Sequence, residues 1–197
     1  MSRAPVSAPV SFDAVRAGDA TRVRALLDDG AGGRRGRGGG GGRRRYYNVN
    51  AEDAAGMTPL IEATLRGSAD VVELLLARGA RAQPAPGFRH TALRAACLTG
   101  HPGLIATLLA AGADPNARSD GGRTPLMGAC YLRPQHDAAP DRGERSLGAV
   151  RAMLDDPRTD AGIENDFGET ALELCLGRKY VKSADLLRER LAGAGGS

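Results

Sequence analysis

The sequence holds no tryptophan, three phenylalanines and four tyrosines, so aromatic rings make up only 4% of its 197 residues. A core built on large rings is excluded, and any aromatic expected at the surface draws notice. Lysine is nearly absent too, with Lys179 and Lys182 alone beside abundant arginine, glycine and alanine, a bias that GC-rich coding would also produce. The three cysteines, Cys97, Cys130 and Cys175, are odd in number and lack CxxC spacing. That argues against a disulfide framework and a zinc site, and fits a reducing compartment. His90, His101 and His136 share no metal-ligand or catalytic spacing, and no serine or lysine sits in a nucleophile motif. The glycine run at 38–42 lacks the Lys-Ser/Thr ending of a phosphate loop. No apolar run reaches the 18 residues of a membrane span, and "MSRAPVSAPVSF" contains no signal-peptide core. These absences point away from an enzyme, a metal, a cofactor and a membrane, and toward a soluble intracellular protein, cytoplasmic or, as the alternative, nuclear.

What is present is enough apolar material for a substantial core, 42% of the chain. The formal charge of +4 is local. Arg34, Arg35, Arg37, Arg43, Arg44 and Arg45 all fall within the acid-free stretch 32–47, and setting them aside turns the charge to −2. The remainder offers no broad basic surface.

Self-similarity organises the rest. "GMTPLIEATLRGSADVVELLLARGA" from Gly56, "RHTALRAACLTGHPGLIATLLAAGA" from Arg89 and "GRTPLMGACYL" from Gly122 place Thr58, Thr91 and Thr124 at steps of 33. "GETALELCLGRKYVKSADLLRERL" from Gly168 adds Thr170 after a step longer by 13, assigned to an insertion at 133–145. "GDATRVRALLDDGA" from Gly18 matches "GSADVVELLLARGA" from Gly67 after an excess of 16, assigned to the Arg/Gly-rich insertion 32–47. Each unit has a physical reading. Threonine stands where an N-cap hydroxyl accepts from orphan helix amides, with Pro59 and Pro125 at the first helical position and a T-x-x-E capping box at Thr170 and Glu173. A short first helix ends near Gly67 or Gly100. A second helix carries the apolar stripe Val71, Val72, Leu75, Leu76, or Leu104, Ile105, Leu108, Leu109. Gly30, Gly79 and Gly112 are expected as left-handed stops before a turn-rich excursion such as "ADPNARSDGG".

A 33-residue unit carrying "TPL" at Thr58 and Thr124, "TAL" at Thr91 and Thr170, "TGHPGLIATLLAAGADPNA" from Thr99 and "NVNA" from Asn48 resembles the ankyrin repeat. The resemblance implies an all-α fold, an ankyrin-type helix-turn-helix solenoid with short hairpin turns and about five repeats over residues 12–191. A flexible N-terminus, 1–11, and tail, 192–197, would flank it. The closing "GAGGS" reads as that tail or an expression remnant of a longer parent chain. The sequence departs from the family where a histidine usually follows TPL, at Ile61, Arg94, Met127 and Glu173. "QPAPGFRH" lacks the usual Asn and Asp before Thr91, and no glycine follows Leu154, only "DDPRTD".

Such proteins bind other proteins through hairpin tips and the concave first-helix face. Carried over by position, the contact residues are Met57, Leu65, Arg66, Phe88, His90, Leu98, Thr99, Asp120, Arg123, Tyr131, Phe167 and Glu169, with Ala54, Ala55 and Leu132 beside them. Phe88 and Phe167 are the expected anchors, two apolar rings at turn tips; folding back over the next repeat is the alternative. Polar caps are expected from Arg16, Arg22, Arg24 and Asp28 at the front and Lys179, Lys182, Arg188 and Glu189 at the back. The expected function is non-catalytic protein binding as an adaptor, scaffold or inhibitor, by a monomer whose partner the sequence does not name.

The insertion 32–47 leaves other readings open: a solvated spacer, a contact for an acidic partner or nucleic acid, or a nuclear-import signal. Its arginines bunch as RR, R and RRR rather than repeating Arg-Gly-Gly, and Tyr46 and Tyr47 stand at its end. If all six arginines met a single strand, log affinity would fall with log salt at a slope of roughly −4.

Overall fold

The computed structural model describes residues 8–9, 12–31, 47–83, 90–132 and 142–194. The six clustered arginines of segment 32–46, Phe88 in the "QPAPGFRH" turn, and the second insertion from 133 to 141 with His136 lie outside the described residues.

Each first helix after the first repeat starts on the threonine that the sequence marks. Thr58 Oγ1 accepts the Ile61 amide at 3.3 Å to open α3 (Pro59–Leu65), and Thr91 accepts that of Arg94 at 3.0 Å to open α5 (Ala92–Thr99). Thr124 accepts that of Met127 at 3.4 Å to open α7 (Pro125–Cys130), and Thr170 completes its capping box with Glu173 to open α9 (Ala171–Gly177). The short first repeat, α1 (Phe12–Arg16), lacks this threonine; its second helix α2 (Ala20–Ala31) is capped by Asp19, which accepts the Arg22 amide at 2.9 Å.

The chain divides into two compact units, Met1–Arg81 and Ala82–Ser197. In the first, α1 packs on α3, and α2 on α4 (Ala69–Ala77), so two helical hairpins stack. Val15, Val23, Leu60, Val71 and Leu75 are buried there. Burying side chains of this size stabilises by about 1.5–3 kcal/mol each. The expected stop at Gly30 is corrected: α2 runs through it to Ala31, whereas Gly79 does take a left-handed φ of 84°. A two-residue parallel pairing of β1 (Ala8–Pro9) with β2 (Tyr47–Asn48) ties the start of the chain to the end of the first insertion. This is a contact that repeat matching does not contain.

The second unit has two layers. Helices α5, α7 and α9 form one, and α6 (Pro102–Ala110), α8 (Arg142–Leu154) and α10 (Val181–Ala194) the other. Leu93, Leu126, Met127, Ile105, Leu108, Val150, Met153 and Leu187 fill the space between. The second insertion is shorter than the repeat spacing suggests. Residues 142–145 are the first turn of α8, where the Arg145 guanidinium donates to the Thr99 carbonyl. No glycine is needed after α8, because the buried Thr159 hydroxyl donates to the Met153 carbonyl at 2.6 Å and so satisfies one of the helix's orphan acceptors.

The cysteine expectation is corrected as well. Cys130 at the end of α7 and Cys175 in α9 form a disulfide with their Cα atoms 5.0 Å apart. Counting cysteines could not show this, because the pair meets only when consecutive first helices lie side by side. Cys97 is the free thiol among the described residues. Its burial pushes its pKa far up, against a smaller opposing effect from Arg94, and so keeps it neutral and unreactive.

Turn segments are joined by amide side chains one repeat apart. The Asn50 side-chain oxygen accepts the Arg81 amide at 2.8 Å, Gln83 accepts that of Asp114 at 3.1 Å, and Asn116 accepts that of Asp160 at 3.0 Å. Gln83 thus replaces the asparagine that the "QPAPGFRH" turn lacks.

Candidate partner-binding face

In the first unit Asp53 Oδ1 accepts the Ala55 and Met57 amides at 2.8 and 3.0 Å, which leaves Ala54 and Ala55 exposed at the tip and Met57 half-buried. Leu65 is half-buried at the end of α3 and Arg66 is exposed. The Arg66 guanidinium donates to Glu62 Oε1 at 3.2 Å, and Arg16 donates to the same oxygen at 3.3 Å. Arg16 also lies 4.0 Å from Asp53. On this face the arginine charges are matched by carboxylates.

The second unit is built differently. Asn165 Oδ1 accepts the Phe167 and Glu169 amides at 2.9 and 3.0 Å, and its amide group donates to Glu169 Oε2 at 2.9 Å. The Asp166 amide donates to the Gly121 carbonyl at 3.1 Å, and Arg118 reaches the Asp166 carboxylate at 3.3 Å. Two tips are thereby locked together across Gly122. That residue has φ 68°, and a Cβ there would fall on the Asp166 carboxylate and the Arg118 guanidinium, so it has room for neither another residue's angle nor its side chain. On this fixed turn Phe167 is 70% exposed. The ring does not fold back into a core.

Arg123 lies alongside. A Cβ at Gly121 would meet Arg123 Cζ and Nε at 3.8 Å and Phe167 Cε2 at 3.9 Å, so guanidinium and ring gather against the same glycine. Just past the end of α7, the half-buried Tyr131 ring carries two cations. Arg123 Cζ lies 5.6 Å from its centroid and Arg178 Cζ 4.6 Å. Arg123 Nε is buried with no hydrogen-bond partner among the described residues. Arg178 escaped the sequence reading, although a signal existed: it stands eight residues after Thr170, as Arg66 stands eight after Thr58.

The remaining expected contacts divide. His90 is half-buried, Asp120 is exposed and Glu169 is half-buried, all at turn tips. Leu98 and Thr99 are corrected: they are 8% and 3% exposed, and the Thr99 hydroxyl donates to the Ala95 carbonyl at 2.9 Å. They pack inside the unit, as does Leu132, because the end of α5 at Gly100 is covered by Leu132 and by Arg145 of α8. His101, before α6, is half-buried; burial first, and then the charge of Arg145, hold its pKa below the ordinary histidine value. Among the described residues no group of His, Cys, Asp and Glu is arranged to hold a metal ion. No described helix is long and apolar enough to cross a membrane.

The ankyrin repeat family profile matches residues 55–84 and 88–120. The chain is 32% identical over 140 residues to "Ankyrin repeat and KH domain-containing protein mask-1" of Caenorhabditis elegans, covering 66% of this chain and 5% of that protein. It is 47% identical over 80 residues to human "Ankyrin repeat domain-containing protein 17", covering 40% of this chain and 3% of the relative. A further relative, "E3 ubiquitin-protein ligase Ufd4" of Drosophila melanogaster, is 28% identical over 146 residues, covering 74% of this chain and 4% of that protein. The chain therefore spans at most about a twentieth of these relatives' lengths. Ankyrin repeats generally mediate protein–protein interaction and are typically non-catalytic. With four threonine-capped first helices among the described residues, a 33-residue period and these matches, the chain belongs to the ankyrin repeat family.

Proposed function

We propose that this chain is a non-catalytic recognition module, an adaptor, scaffold or inhibitor, and that it holds a protein partner on the tips and first-helix face of the unit Ala82–Ser197. The observation that carries this reading is Phe167, exposed on a turn whose backbone is pinned by Asn165, Gly121 and Gly122. An apolar ring held in water by an ordered turn costs the free protein hydration free energy that a partner recovers, with little left to order on binding. Asp120, Arg123, Tyr131 and Glu169 of the same unit complete the proposed contact set, and Met57, Leu65 and Arg66 are the corresponding candidates on the other unit taken by itself.

The test compares capture of proteins from lysate by the intact chain, by Phe167→Ala, and by a form lacking residues 32–46, each with and without nuclease. Tyr47 is kept because it belongs to β2. The expected result is that Phe167→Ala loses specific partners at an unchanged melting temperature, while the deletion and the nuclease leave capture intact. Capture that vanishes with the deletion or with nuclease would instead assign binding to the Arg/Gly-rich segment, and a fall in melting temperature for Phe167→Ala would make the ring structural.

A further inference from the structure

The candidate faces of the two units treat their arginines differently. In the first, Arg16 and Arg66 converge on Glu62, so each cation has an anion within 3.3 Å. In the second, Arg123 and Arg178 converge on the ring of Tyr131 instead. Neither makes an ion pair with a carboxylate among the described residues. A tyrosine face attracts one guanidinium only weakly at an exposed site. It does nothing for the repulsion between two. The arrangement is incomplete by one anion, and its shape specifies which kind. Guanidinium forks pair with planar carboxylates through two parallel hydrogen bonds. Phe167, against the same glycine as Arg123, supplies an apolar station next to the charged one.

We propose that the segment bound by this unit is an acidic peptide, with an Asp or Glu carboxylate seated between Arg123 and Arg178 over Tyr131 and an apolar side chain against Phe167. This inference rests on the proposed recognition face and narrows it to one chemistry. Tyrosine and arginine are the residue types in which binding energy concentrates, and here they are already held in place by the fold.

The experiment pans a random display library of twelve-residue peptides on the full-length chain and measures a selected synthetic peptide against it by calorimetry. The expected outcome is selection of peptides carrying Asp or Glu beside an apolar residue. The Arg123→Gln, Arg178→Gln double variant should bind the winner at least roughly tenfold more weakly, and the peptide with its acid replaced by the corresponding amide should lose a similar factor. The two changes combined should cost little more than either alone. Should the double variant unfold, Arg178→Gln, which alters an exposed side chain, serves with the same expectation. Winners that are neutral or basic, or acidic winners indifferent to both arginines, overturn the proposal. So does a twelve-nucleotide single-stranded RNA that displaces the peptide at a lower concentration and itself depends on these arginines. Winners lost in Phe167→Ala but kept in the arginine variants would overturn the acidic chemistry and leave the recognition face standing; winners indifferent to all three changes would overturn both.

Discussion

Lys179 carries a φ of 61°, the one positive value outside glycine among the described residues. It stands nine residues after Thr170, the step at which Gly67 and Gly100 follow Thr58 and Thr91 with φ of 71° and 67°. At Gly100 the space is also closed, because a Cβ would come within 3.1 Å of Arg145 Cβ and 3.2 Å of Leu132 Cδ2. At Lys179 only the backbone angle is unfavourable, since the side chain is exposed. A left-handed conformation costs an L-residue about 1 kcal/mol, so Lys179→Gly should raise the unfolding free energy in urea by about that amount. An unchanged or lower value would show that the lysine side chain makes good the difference. Capping threonines were legible at this scale because a hydroxyl, a proline and a following helix fall at fixed offsets. Thr159 and Gln83 were not, because each stands in for a residue type that the pattern requires, and only the bond it makes reveals the substitution.

At the scale of elements, α7 and α9 are joined covalently as well as packed. The Cys130–Cys175 bond closes a loop of 45 residues, and loop-closure entropy alone assigns about 4 kcal/mol to such a link. The oxidised chain, its bond established by mass under non-reducing conditions, should therefore unfold at a clearly higher urea concentration than the reduced chain, by about 2–4 kcal/mol. Equal midpoints would mean that packing already holds the two helices together and the bond adds nothing. The helices themselves were readable from period and apolar stripe, yet the start of α8 was not. Arithmetic on repeat spacing assigns 13 extra residues to a loop, whereas 142–145 belong to the helix and reach back through Arg145 to the end of α5.

For the molecule as a whole, acidity should act through His101. Its pKa is lowered in the fold, so the unfolded chain binds the proton more readily, and stability rises with pH wherever that difference exists. Stability should be level above about pH 7 and fall as pH drops through the unfolded value of about 6.5. The carboxylates of Asp156 and Glu173 are likewise held below their ordinary values by their hydrogen bonds, the first with Arg158 and the second with Thr170. They therefore stay ionised throughout that window. Urea midpoints at pH 7.5, 6.5 and 5.5 should decline in the parent and stay flatter in His101→Gln; parallel declines would place the effect elsewhere. The repeat architecture could be foreseen because period, cap and turn chemistry agree. The charge pattern of the candidate face could not, since whether an arginine meets a carboxylate or another arginine depends on side chains brought together from different repeats.

The turn bonds from Asn50, Gln83 and Asn116 span 31, 31 and 44 residues, the longer interval containing the second insertion. The spacing between neighbouring turns is thus held by a hydrogen bond and not by the number of residues strung between them. Chain can be spliced into the interval without changing the pitch of the stack, which makes the segment 133–141 a natural graft point for an epitope, a dye-binding tag or a second recognition loop.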